Sequence, residues 1–186
     1  VAVVRALLDA GADPNAAQAS GLTALMLAAG TGSRDVVRAL LEHGADVDAV
    51  TRNSGVTALM WAVEAPHPDI VYVLIESAAD VRVSSKKGFT PLLLAARNGD
   101  IELAKLLIAV GADVNQPGSD GTHALPLAII SSQDAFAMFL LERGADPNGT
   151  IGGVSAIHAA AGNVGTWLGD WYRVHGRQAV DASGRG

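Results

Sequence analysis

The side chains of this 186-residue chain best suited to proton transfer or metal ligation are five histidines, His43, His67, His123, His158 and His175. None sits in an H-E-x-x-H pair or in any other metal-ligand spacing. With no cysteine in the chain there is no thiolate metal site, no disulfide framework and no cysteine nucleophile. Ser155, His158 and Asp170 could be assembled into a nominal nucleophile, base and orienting acid. No G-x-S-x-G elbow accompanies them, however, and Ser155 stands where a helix start needs a capping hydroxyl. His123 takes the place of such a cap, and His67 lies in a turn between Pro66 and Pro68. Asn148-Gly149-Thr150 matches a glycosylation sequon but reads as a turn. No G-x-G-x-x-G or P-loop string supplies a phosphate cradle. The expectation is a chain with no catalytic residue, no cofactor and no metal.

Composition narrows the class further. At 49% hydrophobic and 17% charged the chain is too apolar to stay unfolded, and no apolar run reaches the roughly 20 residues that cross a bilayer. A formal net charge of −6 argues against a general nucleic-acid binder, which needs surplus Lys and Arg to neutralise phosphates. Residues 1–8 show no targeting signal. The chain opens on Val1 in mid-repeat, so it reads as a piece of a longer protein, and neither compartment nor oligomeric state is legible.

The elements follow from self-similarity. LLDAGADPN from Leu7, LLEHGADVD from Leu40, LIESAADVR from Leu74, LIAVGADVN from Leu107 and LLERGADPN from Leu140 are copies of one phrase. Their aspartates, Asp13, Asp46, Asp80, Asp113 and Asp146, recur at intervals of 33, 34, 33 and 33 residues. A second phrase fills the gaps: GLTALMLAA from Gly21, GVTALMWAV from Gly55, GFTPLLLAA from Gly88, GTHALPLAI from Gly121 and GVSAIHAAA from Gly153.

Aligned on those glycines, apolar residues fall into columns with helical spacing. A first helix contributes Leu25, Leu59, Leu92, Leu125 and Ile157, with Ala28, Ala62, Ala95, Ala128 and Ala160 one turn on. A second contributes Val36, Ile70, Leu103 and Phe136, then Leu40, Leu74, Leu107 and Leu140; Val3 and Leu7 begin the same columns. Thr23, Thr57, Thr90 and Ser155 are placed to cap the first helix, and Pro91 suits its first position. Gly11, Gly44, Gly111 and Gly144 end the second helix in the left-handed region, where the third copy has Ala78. A unit of this size cannot bury its own face, so consecutive units must stack.

These phrases resemble the ankyrin repeat, whose consensus carries G-x-T-P-L-H-x-A-A, a V-x-x-L-L stripe and G-A-D-x-N. The resemblance spans residues 1 to about 161 and implies an all-α solenoid of stacked helix-turn-helix units with short β-hairpin loops. Its boundaries are a partial N-terminal repeat at 1–15 (second helix only), repeats at 16–48, 49–82, 83–115 and 116–148, and a partial or divergent repeat at 149–178. Residues 179–186 read as a disordered tail. Only His158 keeps the family's histidine; Met26, Met60, Leu93 and Pro126 replace it elsewhere, so apolar packing has to substitute for its bonds. The N-terminal face should be open. Between Asn163 and Gln178, Trp167, Trp171 and Tyr172 read either as an aromatic cap over the last unit or as part of an insertion within a fifth repeat.

The resemblance also implies that recognition falls to the hairpin tips and to the groove behind the first helix. Five of the 19 acidic residues are the repeated aspartates, leaving 14 against 13 basic, so overall acidity says little about partners. Matched by position, the variable residues are Ala19, Ser20, Leu22, Gly30 and Thr31; Asn53, Ser54, Val56, Glu64 and Ala65; Lys86, Lys87, Phe89, Arg97 and Asn98; and Ser119, Asp120, Thr122, Ile130 and Ser131. The third set stands out for three cations and an aromatic ring, to which Trp61 on the preceding first helix could add a floor. The partner-binding set is therefore Trp61, Lys86, Lys87, Phe89, Arg97 and Asn98, and the partner a protein, acidic or mixed acidic and apolar, with no nucleic acid and no membrane. The function expected is non-catalytic protein recognition, the alternative being a spacer or docking domain within a larger, possibly enzymatic, polypeptide.

Overall fold

A computed structural model of the chain describes residues 1–162, 168, 169, 171 and 173. The described residues form two compact units, Val1–Lys86 and Lys87–Gly186. In the first, helices α1 (Ala2–Asp9), α2 (Ala24–Gly30), α3 (Arg34–Glu42), α4 (Ala58–Glu64) and α5 (Pro68–Glu76) follow one another. Helices α2 and α3 pair, as do α4 and α5, while α2 packs on α4 and α3 lies between α1 and α5. In the second unit α6 (Pro91–Asn98) pairs with α7 (Ile101–Ala109), and α8 (Ala124–Ile130) with α9 (Asp134–Glu142). The first helices again stack, α6 on α8 and α8 on α10 (Ala156–Ala161). A two-residue hairpin, β1 (Thr150–Ile151) against β2 (Val154–Ser155), leads into α10. In each unit, then, consecutive helix pairs bury one another, as expected of a solenoid of stacked helix-turn-helix repeats.

Most of the predicted columns form the cores. Leu25, Leu59, Leu92 and Leu125 are buried with Ala28, Ala62, Ala95 and Ala128 beside them. On the second helices Ile70, Leu103, Phe136, Leu40, Leu74, Leu107 and Leu140 are buried too. The columns fail at their ends. Ile157 is 71% exposed and Ala160 is exposed, because no second helix lies against α10 among the described residues. Val3, 72% exposed, and Leu7 face outward for the mirror-image reason, α1 having no first helix among the described residues. Val36, one layer in, is half-buried, and its neighbour Val37 takes the interior place.

Polar groups set the start and the register of each repeat. Thr23, Thr57 and Thr90 accept the amides of Met26, Met60 and Leu93 at 3.3, 3.3 and 3.2 Å, satisfying an N–H that has no partner in the first helical turn. Ser155 departs from the expected cap: its Oγ lies 2.7 Å from His158 Nδ1 and makes no bond to the backbone of α10. His123 does not cap α8 either. Its ring Nδ1 receives the Thr150 amide at 3.2 Å while its own amide donates to the Thr150 carbonyl at 2.9 Å, which ties α8 to the next hairpin.

The repeated aspartates close a turn, each Oδ1 accepting the amide two residues on, from Asn15, Asp48, Arg82, Asn115 and Asn148 at 2.8 to 3.0 Å. The residue so held then reaches the next repeat. Asn15 donates to the Gly44 carbonyl at 3.0 Å and accepts the Asp46 amide at 2.7 Å, and Asn115 does the same with Gly144 and Asp146. Asp48, lacking an amide, keeps only the acceptor half, from Asp80 N at 2.9 Å.

The second helices end alike. At α3, Gly44 N bonds Leu41 O and Ala45 N bonds Leu40 O, with Gly44 left-handed at φ 84°. After α5 the same two bonds run from Ala78 to Ile75 and from Ala79 to Leu74, but Ala78 holds φ 63° with a Cβ in place. Left-handed geometry costs an L-residue roughly 1 kcal/mol more than glycine. Ala78→Gly is therefore expected to raise the thermal unfolding midpoint by about 2–4 °C in a chain of this size. A lower midpoint in a calorimetric or circular-dichroism melt would show that the strain is not relieved there.

Candidate functional site

The loops before the first helices are held from repeat to repeat by backbone. In the first unit Arg52 N donates to Ser20 O, and Lys86 N to Ser54 O, each at 2.8 Å. The glycines beside these bonds leave room for them. A Cβ on Gly21 would stand 2.8 Å from Arg52 N, at a φ of 81° that already favours glycine. The side chain of Lys86 turns along the tips, its Nζ donating to the Arg52 carbonyl at 2.6 Å, while the residue remains exposed. Trp61, 36% exposed on α4, lays its ring against Gly30 at the end of α2. A Cβ there would come within 2.7 Å of Trp61 Cε3, so the glycine at position 30 is what admits the indole.

In the second unit Lys87 and Asn98 are exposed and Arg97 is half-buried. Phe89 is not a surface anchor in this structure: it is 8% exposed. The Arg97 guanidinium lies over one side of its ring, 5.0 Å from the centroid. Trp171 meets the ring edge-on, with centroids 6.5 Å apart and planes at 71°. The structure thus joins Phe89 to Arg97 and adds Trp171, which the sequence left open as part of a cap over the last unit or of an insertion. Its indole N–H points to Thr122 Oγ1 at 3.0 Å and Asp120 Oδ2 at 3.2 Å, in the loop one copy of the second phrase before the last. Trp167, Tyr172 and residues 179–186, named in the expectations above, lie outside the described residues.

Ser155 and His158 form a contact with the form of a nucleophile and its base, and Asp170 lies outside the described residues. The pair spans the first turn of a helix at its exposed side. A groove of about 740 Å³ opens nearby, lined by Leu125, Met138, Leu141, Ile157 and Ala160 among others, but neither Ser155 nor His158 faces it. No cluster of three potential metal ligands occurs among the described residues, and none of their helices is long and apolar enough to cross a membrane.

The family model for ankyrin repeats (3 copies) matches residues 1–85 and again 67–151. The chain belongs to the ankyrin-repeat family. No curated protein matches it. Ankyrin repeats are generally protein–protein interaction modules, typically without catalysis of their own. In this ankyrin-repeat chain the loops before the first helices are tied from repeat to repeat by the tip bonds of Arg52 and Lys86.

One titratable contact bears on how the array is closed at its first helix. His43, at the end of α3, is raised above its ordinary 6.5, first because Nδ1 bonds the Ala39 carbonyl at 2.8 Å and next because Nε2 faces Asp9 Oδ1 of α1 at 3.2 Å, with Glu42 adding to the attraction. A raised value means the charged form is favoured when folded, so its stabilisation is full below the ordinary value and lost as pH rises through the higher folded one. The unfolding midpoint is expected to fall more between pH 6 and pH 8 for the wild type than for His43→Gln. Parallel pH profiles for the two proteins would show that the contact does not hold α1.

Proposed function

We propose that this ankyrin-repeat chain is a non-catalytic scaffold that binds an acidic, or mixed acidic and apolar, protein partner through Lys86, Lys87, Arg97 and Asn98, with Trp61 as an apolar contact. The observation that carries this reading is the bonding of loop to loop. Arg52 to Ser20 and Lys86 to Ser54 hold the tips before any partner arrives, so little loop entropy is lost on binding. The cations matter because they stand on a chain of net charge −6, where a local positive surface selects partners and speeds their encounter. Phe89 joins the contact only when Trp171 is not on it.

The absence of a catalytic role is part of the same proposal. The Ser155–His158 contact joins two side chains across the first turn of α10 without capping its backbone, so Ser155→Ala should leave both partner binding and the threonine-capped helices unchanged.

The test is affinity capture from native lysate with the chain and with its Lys86→Ala, Lys87→Ala, Arg97→Ala triple variant, followed by mass spectrometry and titration of the captured protein. Binding is expected to weaken at least tenfold in the variant, and the decline of affinity with added salt to flatten. Equal affinity and equal salt slope for the two proteins would overturn the assignment of these cations.

A further inference from the structure

Trp171 lies beyond the residues that match the family, yet it is among the best-enclosed aromatic side chains of its unit, at 6% exposure. What it rests on lies in, or directly before, three successive copies of the second phrase. Phe89 is the residue after the first glycine of GFTPLLLAA, Asp120 and Thr122 flank the glycine of GTHALPLAI, and Gly152 turns the hairpin before α10. At Gly152, where φ is 53°, an added Cβ would stand 3.1 Å from Leu168 Cδ2 and 3.4 Å from Trp171 Cβ. Leu168 is buried beside it. Two loops of this unit that carry variable positions, those of Phe89 and of Asp120 and Thr122, are thus covered by an aromatic side chain of the same polypeptide.

The acceptors under the indole do not need it. Thr122 Oγ1 donates to Asp120 Oδ2 at 2.7 Å and the Thr122 amide donates to Asp120 Oδ1 at 3.0 Å. The carboxylate is further seated against Gly88, where no Cβ could be accommodated. With its proton given to Asp120, the Thr122 hydroxyl keeps a lone pair for an incoming N–H, which the indole supplies. Phe89 likewise has Arg97 over its ring. These groups offer, with their own bonds already made, an aromatic ring for an edge contact and a pair of hydrogen-bond acceptors. That chemistry selects a flat ring with a single donor on its edge.

We propose that Phe89, Asp120 and Thr122 form an indole-binding site, that Trp171 fills it in cis, and that a protein partner presenting an exposed tryptophan binds by displacing Trp171. The inference rests on the recognition reading above and names the apolar part of the partner. Covalent linkage places Trp171 at a high effective concentration, so the site is open for only a fraction of the time, and a ligand in trans is weakened by that fraction. Release also uncovers Phe89 beside Arg97 and so joins an aromatic anchor to the cationic surface.

The probe is a fluorescein-labelled peptide with the sequence of residues 163–178, titrated by fluorescence anisotropy into the full 186-residue chain. It should bind Trp171→Ala at least tenfold more tightly than the wild type. Adding Thr122→Val to that variant, which removes the nearer of the two acceptors and keeps the shape, should return binding to the wild-type level or below. A peptide with alanine in place of its second tryptophan should lose binding, and a chain with Trp171→Phe, which keeps the ring and loses the donor, should fall between. Equal affinity for wild type and Trp171→Ala, or no binding to a folded Trp171→Ala chain, would overturn the proposal. So would loss of cooperative melting in Trp171→Ala, since a residue needed for folding is not displaceable. If the peptide fails while the triple cation variant still loses its captured partner, only the indole site falls; if the peptide exchanges and the cations are silent, only the cationic reading falls.

Discussion

Each helix pair in this protein is too small to shelter its apolar side, and the rest of the structure depends on that constraint. The helices run six to nine residues among those described, well short of the roughly 12–15 at which an isolated helix becomes marginal in water. They persist because α2 lies on α4 and α3 on α5 in one unit, and α6 on α8 and α8 on α10 in the other. Where a neighbour is missing among the described residues, the same column turns from core to surface, as Ile157 and Val3 show. Burial here is a property of position in the stack more than of residue type.

Stacking alone would allow neighbouring repeats to slip. The aspartate turns and the asparagines that they orient supply direction, because a side-chain amide at Asn15 or Asn115 must meet one carbonyl and one amide of the next repeat together. Where Asp48 stands in that place only one of the two bonds survives. The tip bonds from Arg52 and Lys86 extend the same registration outward to the loops. A surface of loops thereby gains the rigidity of the helices behind it, which is the physical basis on which the proposed recognition would proceed without folding on contact.

The two aromatic residues of most interest are accommodated by glycines. Gly30 admits the ring of Trp61, and Gly88 lets Asp120 approach closely enough to accept from Thr122 and Trp171. Side chains at the variable positions are therefore not independent decorations. The cluster around Trp171 on the second unit combines residues that lie far apart in the chain, and its contents follow from how closely backbones approach there.

Much of the fold could be read directly from spacing. The recurrence of Asp13, Asp46, Asp80, Asp113 and Asp146, the threonine caps and the leucine columns are local or periodic signals, and a helix start or a stripe declares itself within a few residues. The left-handed Ala78 was legible for the same reason: its neighbours in the column are glycines. Lys86, Lys87 and Arg97 could be singled out as departures from the repeat, and Phe89 with them, but not the burial of that ring. Nothing in the local pattern of Trp171 connects it to Thr122, 49 positions earlier, because that contact has no period and no short-range geometry to announce it. Sequence determines which elements form and in what order they stack, since those depend on neighbours along the chain. Which loop side chains are covered, and by what, depends on where distant backbone comes to rest, and only the tertiary structure decides it.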